Sequence, residues 1–328
     1  MAKQGQAEAL WYTAPGQAEW RSESLPPLDG AHLRVRSLFS ALSRGTESLV
    51  FHGKVPASEH QRMRAPLQAG DFPFPVKYGY AAVGRIEDGP ANVIGQTVFA
   101  LHPHQTLFDL PLDGGAVLPE GLPPMRAVLA ANMETALNTL WDSGATAAQR
   151  INVIGGGVVG LLVGYLAGRL PGSDVTLVDV EPARAKQAAA LGLRFALPSA
   201  APGDCDVVFH ASGVGSGLAT AIDCAGDEAT VIEMSWYGAG QIPVALGGAF
   251  HSRRLRLIAS QVGKVAPNQR TRWSYRRRLI AALNLLRDDR LDILLESPIA
   301  AADLPSRLPE ILKPGGGVLC QPIAYPLS

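Results

Sequence analysis

Three glycines and an aspartate carry the strongest chemical signal in this chain. Gly155, Gly157 and Gly160 stand in a Gly-x-Gly-x-x-Gly spacing, and Asp179 follows nineteen residues after the last of them. The flanks give the spacing its meaning. Ile151 to Ile154 is an apolar run that reads as a buried strand, and Val158 to Leu170 has a helical pattern stopped by Pro171 and Gly172. Val175 to Val178 reads as a second buried strand and ends at Asp179. Strand, glycine turn, helix, strand and acid is the order of a dinucleotide site. There Gly155 would permit the tight turn, Gly157 would let the backbone approach a pyrophosphate, and Gly160 would let the helix pack close on the strand. The amides that open the helix, at Val158 and Val159, would hold the anion together with the helix dipole. Asp179 would accept hydrogen bonds from the adenosine ribose and repel a 2′-phosphate, which favours NAD(H) over NADP(H). Arg184, just beyond Pro182, keeps NADP(H) open.

The elements around this motif predict an α/β protein of two domains. From the start to about residue 125 the chain shows short apolar runs broken by Gly and Pro, such as Thr97 to Leu101, which argue for an all-β domain. A helical pattern covers Met125 to Ser143. From Ile151 onward strands and helices alternate, the mark of a doubly wound parallel sheet. Its later strands are expected at Asp206–Ala211, Ala229–Met234 and Leu255–Ser260. Helices are expected at Pro182–Leu191, with Gly192 as a C-terminal cap, and at Tyr275–Leu286. The tail returns to short strands such as Gly317–Cys320. The expected division is a substrate and catalytic domain over 1–130, a nucleotide domain over 131–264, and a return to the first domain over 265–328. A cleft between two domains is the usual home of a site that joins cofactor and substrate.

Composition narrows the class. The 328 residues are 47% hydrophobic and 18% charged, with 29 Lys and Arg against 29 Asp and Glu. That describes a globular chain large enough for two cores, with no global charge to attract nucleic acid. Cys205, Cys224 and Cys320 are too scattered for a disulfide framework or a metal cluster. The first residues carry no signal-peptide core, and no apolar run approaches the roughly 20 residues of a membrane span. A soluble cytosolic protein acting on a small molecule, without nucleic acid or membrane, is expected.

The chain resembles the medium-chain dehydrogenase/reductase superfamily, also called the zinc-type alcohol dehydrogenases. Four segments carry the likeness. Ser43-Arg44-Gly45-Thr46-Glu47 with Gly53 is similar to the family's Cys-Gly-Thr-Asp segment. Pro75 to Gly84 is similar to its Pro…Gly-His-Glu…Gly segment. Val153 to Gly160 with Asp179 matches its nucleotide site. Ala211-Ser212-Gly213 and Leu255 to Gln261 resemble its later Rossmann strands. The resemblance implies a GroES-like β-barrel domain beside a Rossmann domain, a nicotinamide cofactor contacted also by Ser212, and a homodimer. It also exposes a departure. Arg44, or Ser43 if the match slips by one, takes the place of the zinc-ligand Cys, and Tyr80 and Ala81 take the places of His and Glu. Ala131 falls near the third ligand, with Glu134 one helical turn away. A catalytic zinc needs three Cys, His or carboxylate ligands, so no zinc is expected.

Without a metal, a carbonyl oxygen needs another proton donor or positive group in the transition state. Thr46 holds the position of the family's proton-relaying hydroxyl, and equally suits an ordinary loop hydroxyl near a helix start. Tyr80 would point its phenol where the family's His points, or simply fill the vacated metal site. Arg44 could bind the cofactor pyrophosphate or a substrate oxygen through its rigid fork. His102 and His104 are the imidazole candidates, and Glu134 could orient a donor. From His251 to Arg278 there are nine Lys or Arg and no acid. A solvated face explains this; a sharper reading places Arg272 and Arg276 beside an anionic substrate. The expected activity is zinc-independent, NAD(H)-dependent hydride transfer to or from a carbonyl or alcohol. A quinone or enoyl reductase, a bacteriochlorophyllide-dehydrogenase-like enzyme, and a nucleotide-binding protein without turnover are the alternatives.

Overall fold

The structure, a computed structural model, describes residues 5–313, 315 and 317–326. The chain opens with a hairpin of β1 (Gly5–Ala14) and β2 (Gln17–Leu25), then β3 (His32–Ala41), α1 (Arg44–Phe51), β4 (Ala69–Gly70) and β5 (Val76–Lys77). There follow β6 (Ala82–Asp88), β7 (Thr97–Ala100), β8 (Leu107–Pro111), β9 (Gly115–Val117), α2 (Pro124–Ala127) and α3 (Ala130–Ser143). Alternation begins with β10 (Arg150–Ile154), α4 (Val158–Ala167), β11 (Asp174–Val178), α5 (Arg184–Ala190) and β12 (Arg194–Ala196). It continues through β13 (Cys205–His210), α6 (Gly215–Cys224), β14 (Ala225–Glu233), α7 (Ala249–Ser252) and β15 (Arg256–Ala259). The chain closes with α8 (Tyr275–Leu285), β16 (Ile299–Ala300), α9 (Leu304–Ile311) and β17 (Pro322–Ala324). The expected helix at 125–143 is broken into α2 and α3, and the expected strand at 317–320 is reduced to one bridge between Leu295 and Cys320.

Two compact units result. One holds Met1–Ala131 and Leu279–Ser328; the other is Asn132–Arg278. The second unit runs past residue 264, where the sequence reading ends the nucleotide domain. Arg278 explains why: its side chain is buried and bonds to Glu134, Asn138 and the Val262 carbonyl, all in that unit.

In the first unit β2-β1-β5-β4 form one sheet, and β16-β17-β3-β6-β7-β9 form another that β8 joins by pairing with β3. Val35, Ile86, Val98, Phe108 and Leu110 pack as one core between these strands. Gly16, at φ +74°, makes the hairpin turn between β1 and β2. Such a φ suits glycine, which has no Cβ to clash.

In the second unit every strand pairing is parallel, and the order is β12-β11-β10-β13-β14-β15. This is the Rossmann order, in which the chain reverses direction between β10 and β13. The central strand β10 is buried from Ile151 to Ile154, as a parallel strand covered on both faces must be. Helix α4 is apolar almost all round, with Leu161, Leu162 and Val163 buried, because it lies against β10, β11 and β13.

Candidate active site

The second unit builds a cradle for an anion at the end of β10. Gly155 turns the chain at φ +109°, and a Cβ there would meet the Ser212 amide nitrogen at 2.6 Å. A Cβ on Gly160 would fall 1.9 Å from the Gly155 carbonyl oxygen, so α4 reaches β10 only with glycine at this position. Gly157 differs. It caps α4 without any side-chain hydrogen bond, and a Cβ built on it meets nothing within 4 Å. The opening amides of the helix, Val158 and Val159 among them, are thus left without a side-chain cap at the positive end of the helix dipole.

Asp179 closes one side of the cradle. Its Oδ2 accepts from the Gly156 amide at 2.5 Å and its Oδ1 from the Glu181 amide at 2.8 Å. An ionised carboxylate has about four lone-pair directions, so acceptor capacity for ribose hydroxyls remains. Arg184, at the start of α5, lies against Gly156, where a Cβ would touch its Cγ at 3.1 Å. The three glycines, Val158, Val159, Asp179, Arg184 and Ser212 are thus brought together. A nicotinamide dinucleotide, which the fold implies, fits this arrangement: open space at Gly157, uncapped amides for the pyrophosphate, and an acid for a ribose.

Sequence inspection overlooked a second group in this unit. His210 ends β13 and Glu233 ends β14, and the two are paired in register. His210 is fully buried; its Nδ1 lies 2.8 and 2.9 Å from the two Glu233 oxygens, and its Nε2 lies 2.7 Å from Ser212 Oγ. Tyr237 Oη donates to Glu233 Oε2 at 2.9 Å. Burial raises the Glu233 pKa, but the hydrogen bonds from His210 and the Ser235 amide outweigh it, and the net shift is downward. The available signal was a polar residue at the C-terminal end of each of two apolar strands, where open α/β sheets bind their ligands.

The first unit gathers three hydroxyls. Tyr80 Oη donates to Ser43 Oγ at 2.5 Å and is also bonded to the Thr46 side chain. Burial pushes the Tyr80 phenol up to about 12, while the bonds to Ser43 and Thr46 pull the other way. It therefore stays protonated at neutral pH and can only give a proton to a strong base such as a nascent alkoxide. Helix α1 begins at Arg44, so Thr46 lies in its first turn and does not precede it. Ser43 stands at the N-cap but makes no side-chain cap bond; Glu47 Oε1 instead takes the Ser43 amide at 2.7 Å. That leaves the Ser43 hydroxyl to Tyr80.

Glu47 anchors this loop from below. It is fully buried, and its Oε2 accepts from Tyr12 Oη at 2.8 Å and from His104 Nε2 at 3.0 Å. His104 Nδ1 lies 2.8 Å from Ser40 Oγ, which lies 2.9 Å from Tyr325 Oη. A carboxylate only accepts, so His104 donates from Nε2 and accepts at Nδ1 from Ser40. Gly79, at φ +126°, lets the chain cross the His104 ring, since a Cβ there would sit 3.0 Å from it. The crossing delivers Tyr80 to Ser43.

Several expectations are corrected by these partners. His104 has no exposed surface and both ring nitrogens are engaged, so it holds Glu47 and cannot act as an acid on substrate. His102 is buried, stacks on Phe108 at 4.0 Å, and is driven down to about 3 by burial. Arg44 donates to the carbonyls of Ile311, Val318 and Lys313, so its fork is engaged by the end of α9 and the segment after it. Glu134 is buried against Arg278 Nε at 3.1 Å; burial raises its pKa and Arg278 opposes the rise. This ion pair gives Glu134 a packing role. The basic run also finds partners from outside itself, through Arg278 to Glu134, Arg254 to Glu228 and Arg253 to the Ala225 carbonyl. Arg272 and Arg276 are exposed.

The donor set does not fit a catalytic zinc. At the positions that the resemblance matches to zinc ligands stand Arg44 or, with a slip of one, Ser43, then Tyr80 and Ala81, and none of these is a Cys, His or carboxylate. Among the described residues no three His, Cys, Asp or Glu are grouped to hold a metal. The three cysteines are buried, with Cys205 and Cys224 in the core of the second unit. Among the described residues no helix is long and apolar enough to cross a membrane.

No family model matches the chain. No curated protein matches it either. Solved structures do. An L-idonate 5-dehydrogenase from Escherichia coli superposes with a TM-score of 0.79 at 12% identity, covering 98% of this chain and 99% of its own. A zinc-binding dehydrogenase from Sinorhizobium meliloti, bound to NADP, gives 0.78 at 18% identity, covering 98% of this chain and 100% of its own. A 2R,3R-butanediol dehydrogenase from Bacillus subtilis gives 0.75 at 16% identity, covering 97% and 99%. The chain has the fold of the zinc-type, medium-chain alcohol dehydrogenases, a Rossmann unit with a GroES-like β unit.

Proposed function

We propose that this protein is a nicotinamide-dependent oxidoreductase that interconverts a carbonyl and an alcohol without a catalytic zinc. The observation that carries the reading is the uncapped start of α4 at Gly157, flanked by Asp179, which fits a dinucleotide. Solved proteins of this fold hold NADP or NADH, which supports the same assignment here. Bound nicotinamide supplies a site that gives or takes the hydride. The Rossmann unit binds and orients it, with the α4 amides on the pyrophosphate and Asp179 on the adenosine ribose. Asp179 favours NAD(H), because its charge repels a 2′-phosphate.

In the GroES-like unit the proton is held at Tyr80 Oη. Ser43 and Thr46 fix the phenol's direction, and Glu47 with His104 fixes the loop that carries them. In the reductive direction Tyr80 gives its proton to the nascent alkoxide, and solvent reprotonates the phenolate; in the oxidative direction the alcohol's proton passes to Tyr80 only after the phenol has lost its own to solvent. A neutral phenol does this without a Lewis acid, at a cost in charge stabilisation that a metal would have met.

Fluorescence titration with NADH and NADPH tests the nucleotide half: NADH should bind more tightly, and tighter NADPH binding overturns the role given to Asp179. Elemental analysis tests the other half. Less than stoichiometric zinc with activity insensitive to chelators is expected; one zinc per chain whose removal abolishes turnover would refute it.

A further inference from the structure

Outside the hydroxyl trio, Tyr237, Glu233, His210 and Ser212 form a hydrogen-bonded chain around the buried His210 ring. We propose that this chain is a polarity lock, which makes Ser212 Oγ a hydrogen-bond acceptor for a hydroxyl of the ribose on the nicotinamide side of the dinucleotide. The inference rests on the nucleotide reading above and names a positioning role for His210 and Glu233 within it.

Donors and acceptors settle the direction. Glu233, ionised, only accepts, and it takes the Tyr237 hydroxyl at 2.9 Å and the His210 Nδ1 at 2.8 Å. With a single ring proton, His210 carries it on Nδ1, the nitrogen that faces Glu233, and its Nε2 presents a lone pair. Ser212 Oγ lies 2.7 Å from that lone pair and 3.4 Å from its alternative acceptor, the Val214 carbonyl. The shorter bond wins, so the hydroxyl proton points inward at His210. The Ser212 oxygen is left with lone pairs only, one of them loosely met by the Val214 amide at 3.3 Å. Ser212 is half-buried, so its oxygen remains within reach of a ligand.

Placement identifies the ligand group. Ser212 touches the glycine turn itself, its amide nitrogen lying 2.6 Å from where a Gly155 Cβ would be. Asp179, at the end of β11, serves the adenosine side of that turn. Ser212 and the His210–Glu233 pair lie beyond the reversal point, at the ends of β13 and β14, where the other half of a dinucleotide must run. The ribose there offers hydroxyl donors. The fold protects the lock sterically: on Gly217 of α6, a Cβ would fall 2.1 Å from Ser212 Oγ and 2.8 Å from His210 Nε2.

Binding of three nucleotides separates this role from a structural one. NADH and ADP-ribose carry the second ribose; ADP does not. Ser212→Ala removes the acceptor. Glu233→Gln keeps the shape but lets a carboxamide donate to Nδ1, which moves the ring proton to Nε2 and reverses Ser212. Gly217→Ala displaces the Ser212 hydroxyl without altering any member of the chain, and covers the case in which Glu233→Gln folds poorly. Each should weaken NADH and ADP-ribose roughly 3–10-fold, the worth of one hydrogen bond, and leave ADP unchanged. The Ser212→Ala/Glu233→Gln double variant should be no worse than either single one. Equal loss for all three nucleotides, no loss for any, or loss for NADH alone overturns the assignment. Wild-type protein that binds none of the three overturns the nucleotide reading instead.

Discussion

The glycine turn of the Rossmann unit and the hydroxyl trio of the GroES-like unit solve opposite problems. At the turn, backbone donors are left open: α4 has no side-chain cap, and Gly157 has empty space beside it. At the trio, every group already has a partner. Tyr80 is bonded to Ser43 and Thr46, and Glu47 beneath them takes three donors. An anion site can be made from unsatisfied amides on a rigid helix end, because the ligand supplies what they lack. A proton donor must be held in one orientation before the ligand arrives, which takes a filled network. On the proposed function, the open region binds and the filled region orients.

Substitutions at the two regions should therefore fail in different ways. The largest effect belongs to Gly157→Val. Its side chain enters space the protein leaves empty, so the melting temperature should stay near wild type while NADH binding by fluorescence titration falls beyond detection. Gly160→Val, by contrast, strikes the Gly155 carbonyl and should lower the melting temperature as well. Equal stability of the two variants would erase the distinction drawn at the turn.

Tyr80→Phe should do the reverse. Nucleotide affinity should hold while turnover drops by about 10²–10⁴-fold, the usual range for a lost general acid. Thr46→Val and Ser43→Ala, which only orient the phenol, should cost less. Steady-state kinetics beside NADH titration separates the two quantities, and unchanged turnover in Tyr80→Phe moves the donor elsewhere.

The filled region also predicts a pH effect on stability. Burial holds His102 neutral, with its folded pKa near 3 against an ordinary 6.5. Between those values the unfolded chain binds a proton that the folded protein does not, so stability falls as pH drops from about 6.5 toward 3. His102→Gln should flatten that part of the profile of melting temperature against pH, and an identical slope in both proteins would show that other groups set it.

The smallest effect concerns the exposed Arg272 and Arg276. If they attract an anionic substrate, kcat/KM should fall with salt, as the screening length shrinks from about 10 Å at 0.1 M to about 3 Å at 1 M. Arg272→Gln/Arg276→Gln should weaken that dependence by a few-fold. Equal salt response and equal efficiency would leave the pair as solvated surface.

The sequence by itself determined the glycine turn and the strands beside it. Gly155, Gly157, Gly160 and Asp179 act through backbone conformation, a helix end and one strand end, all local in the chain, so their spacing carries their meaning. Strands β10, β11, β13 and β14 were legible for the same reason, since apolar runs of strand length alternating with helical patterns are the mark of a doubly wound sheet, whereas the short β12 and the helix α6 were not read. Tertiary structure alone decided which polar side chains meet. Glu134 meets Arg278 across 144 residues, and Arg44 meets the carbonyls of a loop some 270 residues on. Nothing local marks such pairs, and residue type suggested catalysis where packing had already used the charge. His104 reads as an acid–base candidate until its burial and both partners are seen. His210 reads as nothing in particular until parallel register sets it beside Glu233. Sheet register and chain crossings fix these meetings, and they follow from the packing of the whole unit and not from the propensities of any one segment.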